Sequence, residues 1–294
     1  MDVFDTMLNV TAGHVPPPIG SSRASSPFPD SPRVIYKQNS LIEVVGQLRF
    51  APILRIDTEP PADFQERVRL NFPVLTERTS DVFQVPPGLP PQFANLVRSS
   101  FGKQALPSSY DFVTADGLWT IQLTRDSLAL TTTAYKRWED FKARFEGGLK
   151  ALVDVYKPAF FTRVGLRYQN LIQRSRLHLD SQPWSALLKP RIAGLVGSEG
   201  LDVSESLSIV SIRLPQADGH VRIRHGLAQA AGASEECYLI DSDFFTEERI
   251  STNDAFGTLD YFNSQSGHLF RWCIEDRLHD AMEPERIARP SAPE

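Results

Sequence analysis

Apolar positions along the chain switch repeatedly between a period of two and a period near three and a half. In Leu41–Phe50, the residues Ile42, Val44, Gly46, Leu48 and Phe50 fall on one side of an extended strand, and Glu43, Val45, Gln47 and Arg49 fall on the other. Behind Pro60 and Pro61, the spacing of Phe64, Val68 and Phe72 predicts a helix over 62–72 entered through proline. Residues 81–85 make a short strand candidate, and Pro86, Pro87, Pro90 and Pro91 mark an irregular connection after it. The stretch 110–135 reads as continuous β-structure. Asp116-Gly117 signals a hairpin, 118–123 and 127–133 are strands, and Arg125-Asp126 turns between them. Trp138, Phe141, Phe145, Leu149, Leu152, Val153 and Tyr156 then form one stripe of a helix over 138–156, closed by Pro158. Gly147-Gly148 weakens that helix by about 1 kcal/mol per glycine relative to alanine, which the wide stripe outweighs.

The same series follows once more. A strand is predicted over 160–171 and a short helix over 184–192. Strands at 207–214 and 220–227 flank Asp218-Gly219, a second hairpin signal, and another strand covers 238–244. Residues 253–282 read as largely helical, with Thr252 or Asn253 as the cap, a less clean apolar stripe, and Gly257 and Gly267 as points of interruption. A short phrase also occurs twice, as Val45-Gly46-Gln47-Leu48-Arg49-Phe50 and as Val164-Gly165-Leu166-Arg167-Tyr168. Strand, helix, several strands and a long helix, present twice, predict an internally duplicated α+β protein. Its largely antiparallel sheet would carry the helices on one face and leave the other open, an order similar to the saddle of TATA-binding-like folds. The expected division is a Pro/Ser-rich arm over 1–33, repeats over 34–157 and 158–283, and a flexible tail over 284–294.

Composition changes this picture little. A chain of 294 residues that is 41% hydrophobic, with 18 Phe and 4 Trp, has ample material for a core. The net charge of −5 argues against wrapping duplex nucleic acid, which runs on phosphate neutralisation. Two cysteines, Cys237 and Cys273, exclude a disulfide framework and a cysteine-rich zinc cluster, and read as buried thiols. The absence of a basic segment before an apolar run, and of a long apolar stretch, sets a cytoplasmic protein without membrane contact as the expectation.

Four stretches carry a resemblance: Leu41–Phe50, Leu128-Ala129-Leu130-Thr131-Thr132-Thr133-Ala134-Tyr135 with Trp138 and Phe141, Arg163-Val164-Gly165-Leu166-Arg167-Tyr168-Gln169-Asn170, and Tyr238-Leu239-Ile240-Asp241-Ser242-Asp243-Phe244-Phe245. In these the chain resembles a sporadically distributed, functionally uncharacterised bacterial protein family over nearly its whole folded length. The resemblance brings no catalytic residue. A scattered distribution implies a mobile cassette, such as a defence or toxin–antitoxin component, with a protein partner encoded nearby.

Candidate chemistry gathers on strands. Asp241 and Asp243 share one strand face, as do Arg163 and Arg167 with Gly165 between them, and Arg222 with Arg224. If those faces coincide, the arginines and aspartates form either a solvated lattice of ion pairs or a surface that grips carboxylate or phosphate. Single residues favour the lattice. The group, with Arg49 recurring in the first half, favours a surface, and Gly165 would give a ligand access to the backbone. No histidine pair, Walker loop, nucleophile elbow or dinucleotide fingerprint is present. Trp138 and Trp272 are expected to pack on helices, and Trp119 to stand partly exposed for stacking. The expectation is thus a non-enzymatic binding protein without cofactor, recognising a protein partner or an anionic ligand through Arg49, Arg163, Arg167, Arg222, Arg224, Asp241 and Asp243. The alternatives are a metal-assisted hydrolase or nuclease built on Asp241 and Asp243, with Glu43 as a third carboxylate, and a nucleic-acid binder using the same sheet.

Overall fold

The computed structural model describes residues 26–79, 108–229 and 235–286. The candidate strand at 81–85 and the proline-rich connection after it lie outside them. The first half runs β1 (Val34–Tyr36), β2 (Leu41–Phe50), α1 (Arg55–Thr58), α2 (Ala62–Val68), β3 (Val74–Thr79), β4 (Ser108–Val113), β5 (Trp119–Thr124), β6 (Ser127–Thr132) and α3 (Trp138–Tyr156). The second runs β7 (Phe161–Ile172), α4 (Trp184–Leu187), α5 (Pro190–Ala193), β8 (Leu207–Arg213), β9 (His220–Gln229), β10 (Glu236–Thr246), α6 (Ala255–Cys273), α7 (Asp276–Ala281) and β11 (Pro284–Arg286). The helix expected over 184–192 is broken into α4 and α5 because Lys189, ahead of Pro190, is held extended.

Nine strands make one antiparallel sheet in the order β3-β4-β5-β6-β2-β7-β10-β9-β8. The first strands of the two halves, β2 and β7, lie side by side at the centre. The α3 and α6 helices cover one face, and both halves feed a single core around Leu48, Leu130, Phe141, Phe145, Phe244 and Phe262. Asp260 on α6 ties the helices together, accepting from Trp138 Nε1 at 2.7 Å and Lys142 Nζ at 2.8 Å.

Both hairpin signals make turns, but differently. Gly117 takes φ +73°, as its signal requires. In the second hairpin the left-handed residues are Ala217 and Asp218, one position early, closed by Leu214 N–H donating to the Gly219 carbonyl at 2.7 Å. Gly219 serves close packing instead, since a Cβ there would stand 3.0 Å from the Phe262 ring on α6.

Both ends of the folded region extend further than the sequence suggests. The expected arm is anchored from its last residues: Phe28 is 2% exposed against Trp272, Ser26 donates to Gln265, and the Ser31 N–H donates to His268 Nδ1. The start of the expected tail pairs as β11 with β1. Helix α6 begins after Asp254, and it is Ser251, not Thr252 or Asn253, whose hydroxyl meets the Asp254 N–H and carboxylate. Neither Gly257 nor Gly267 breaks it.

Candidate functional site

Strand register puts Arg49, Arg163, Arg167, Arg222, Arg224, Asp241 and Asp243 on one sheet face, opposite the helices. One cross-strand row reads Val45, Arg167, Asp243, Arg222, Ser211, and the next reads Glu43, Gln169, Asp241, Arg224, Ile209. The period of two that buries Val44, Leu48, Leu166 and Tyr168 under the helices dictates this placement.

Most of these groups are already satisfied. Arg167 grips Asp241 with two hydrogen bonds of 2.7 Å, and Arg224 adds a third at 3.2 Å. Asp241 retains 3% side-chain exposure, while Arg167 and Arg224 retain 37% and 33%. The carboxylate's hydrogen bonds raise the Arg167 pKa further above its ordinary value. One row away, Arg163 Nη2 spans both oxygens of Asp243 at 3.0 and 3.1 Å, and its Nη1 donates to Gln47. The Phe245 ring lies 5.0 Å beneath the Arg163 guanidinium and stacks on His220.

The space above Gly165 is therefore filled. A Cβ on Gly165 would meet Arg163 Nη1 at 2.4 Å, so the glycine admits a guanidinium and not a ligand. The repeated phrase also aligns differently from its wording. Leu48-Arg49-Phe50 and Leu166-Arg167-Tyr168 match in burial without a gap, but the glycines fall on opposite faces: Gly46 lies beneath Phe145 and Phe141 of α3, and Gly165 lies beneath Arg163. A one-residue offset in a strand reverses the side-chain direction.

Arg49 and Arg222 stand apart from the lattice. Both are exposed, and among the described residues neither has a carboxylate within ion-pair distance. Beside Arg222, on the edge strand β8, Arg213, Leu207 and Ile209 are exposed as well. The first-half end of the same sheet face is closed, with Ser109, Asp111, Ser127 and Ala129 all buried. The accessible platform thus spans β2, β7, β10, β9 and β8 and not the whole sheet.

Other expectations fare unevenly. Cys237 and Cys273 are both buried, and burial pushes the Cys273 thiol up to about 12. Trp119 is not a stacking platform: it packs beneath α3 at 7% exposure, with Arg144 over its ring at 4.4 Å. Asp241 and Asp243 turn both oxygens to arginines, and no three metal-ligating side chains converge among the described residues.

The helix side holds a feature that sequence reasoning missed. A pocket of about 250 Å³ lies between the central strands, the start of α3, the middle of α6 and the strap 31–36. Its floor carries Asn170 and Ser242, polar residues at core-facing positions of β7 and β10. That anomaly, with the Asn263–His268 polar run in α6, was the available signal. Comparison with known protein families finds none that matches this chain, and comparison with curated proteins finds none similar to it. No described helix is long and apolar enough to cross a membrane.

Proposed function

We propose that this is a non-enzymatic binding protein whose open sheet face docks an acidic protein partner. The observation that carries the reading is the pair of exposed arginines, Arg49 and Arg222, without a carboxylate partner among the described residues, set around a lattice that is already neutralised. Three strand steps and four residues separate them, which corresponds to roughly 20 Å. One small anion cannot bridge that span, whereas carboxylates spaced over a protein surface can. The exposed Leu207 and Ile209 beside Arg222 add the apolar contact that such interfaces use at their centres. The lattice between supplies rigidity, since Arg163 and Arg167 are immobilised before any partner arrives.

The repeated order of elements supports an origin in a duplicated unit. A place in a mobile defence or toxin–antitoxin cassette, in the cytoplasm of a bacterium, rests on the family resemblance alone. Metal-assisted hydrolysis is the weaker reading, because neither aspartate offers a free oxygen edge. Nucleic-acid binding competes more directly, since it would use the same free arginines.

The test is co-purification of the full chain with the protein encoded beside it, comparing wild type with an Arg49→Glu/Arg222→Glu double variant. Capture should be lost while the melting temperature holds. Capture by the double variant at the wild-type level rejects this face. Retention on nucleic acid that falls steeply with salt, with no protein captured, replaces the partner by a polyanion.

A further inference from the structure

The pocket beneath the strap has the features of a built site for a small molecule, separate from the docking face. Its volume of about 250 Å³ is roughly the share of eight liquid waters, too much for one structural water and too little for a peptide helix. Among the described residues no Asp or Glu lines it, whereas Arg33, Lys136, Arg137 and Arg271 all do. The countercharges lie outside the lining: Glu139 pairs with Arg33 and Arg137, and Asp276 pairs with Arg271. Lys136 has no ion pair among the described residues. Three of these cations are thus compensated from outside, which leaves the exposed Lys136 at the rim as the charge open to an anion.

The interior adds donors and rings. Asn170 is 6% exposed and faces the pocket; its Oδ1 accepts from Ser40 Oγ at 3.0 Å, and its Nδ2 has no acceptor among the described residues. An amide N–H that opens on the pocket without a described protein acceptor is available to a ligand. Tyr168 donates to Asn263 at 2.9 Å and meets Tyr135 edge to face at 5.7 Å, and Trp138 completes an aromatic wall. Flat, hydrogen-bonding aromatic walls suit a ring, and the cationic rim suits an acid group.

We propose that this pocket binds a metabolite-sized organic anion with a flat aromatic body, its acid group at the Arg33–Lys136 rim and its ring against the wall made by Tyr135, Tyr168 and Trp138. The strap closes over it through Ser31 and Tyr36, the latter hydrogen-bonded to His279 at 2.8 Å.

The probe for this test is the fluorescent aromatic sulfonate 8-anilinonaphthalene-1-sulfonate, titrated into the native full chain, with N-phenyl-1-naphthylamine as the uncharged counterpart. Saturable binding to a single class of site is expected, about tenfold tighter for the sulfonate. Gly267 lines the pocket from α6, and a Cβ there meets nothing within 4 Å. Gly267 is exposed at the pocket's edge, so Gly267→Leu should narrow its mouth while keeping or raising the melting temperature, and should weaken sulfonate binding. Asn170→Leu should weaken binding severalfold. The docking-face variant Arg222→Glu should bind the probe as wild type does. Undiminished binding in both pocket variants overturns the site. Equal affinity for the uncharged ring overturns the anion, and loss of binding in Arg222→Glu moves the probe to the open face.

Discussion

At the scale of the residue, the difference between structural and available charge is decided by partners. Asp241 is nearly buried and holds two guanidiniums, while Arg222, on the neighbouring strand, holds nothing that ion-pairs among the described residues. Removing Asp241 leaves two arginines facing each other with no carboxylate between them. Asp241→Ala should cost about 2–4 kcal/mol in urea denaturation, moderated by the exposure of both arginines. Arg222→Ala should stay within about 0.5 kcal/mol. Equal losses would mean the lattice contributes no stability. Alternation placed Arg163 with Arg167, Arg222 with Arg224, and Asp241 with Asp243 on one side of each strand, and the register then brought those sides together. Alternation did not separate the free from the paired, because pairing depends on which strand lies alongside, and β10 reaches β7 only through a return past β8 and β9.

At the scale of the element, two glycines in α3 and β2 show how packing overrides propensity. Gly46 lies where a Cβ would stand 2.7 Å from Phe145, so this glycine is what lets α3 settle on the central strand. Gly147, on the same helix, would meet nothing within 4 Å. Gly46→Ala should therefore destabilise by about 1–3 kcal/mol through overpacking, and Gly147→Ala should stabilise by up to about 1 kcal/mol. Thermal unfolding reads both, and an unfavourable Gly147→Ala would show that the helix needs flexibility there. The helix was fully legible, because its stripe is long and regular. The helix α6 was less so: its polar run looked like a weak stripe and proves to be the wall of a pocket. The break at Pro190 was hidden by an apolar pattern that continues across it. The arm's boundary is not legible in the sequence, because Phe28 is one apolar residue among prolines and serines, and its partner Trp272 lies in the last long helix.

At the scale of the whole molecule, burial couples folding to protons. His225 Nδ1 donates to the Tyr238 hydroxyl at 2.9 Å, which in turn donates to the Ile192 carbonyl at 2.6 Å. Burial lowers the His225 pKa from its ordinary 6.5, and burial likewise lowers that of His279. The folded state thus resists protons that the unfolded chain accepts near 6.5. The sign follows: stability is level above that pH, falls as pH drops through it, and levels again below the folded pKa. Melting temperatures from about pH 8 to about pH 5 should trace this decline, and His225→Gln should flatten it, leaving the part due to His279. A slope unchanged by His225→Gln would assign the acid sensitivity elsewhere.

Local pattern alone determined the class, most of the strands, the long helix over 138–156 and which charged residues share a side of each strand, because each of these follows from a period of two or of three and a half in a stretch of neighbouring residues. Tertiary structure decided which arginines are spent on aspartates, why Gly46 and Gly165 are glycines, and that a pocket opens on the helix side. Those outcomes require strands and helices far apart in the chain to be brought within a few ångströms, and no periodicity within a single segment encodes the identity of its neighbour.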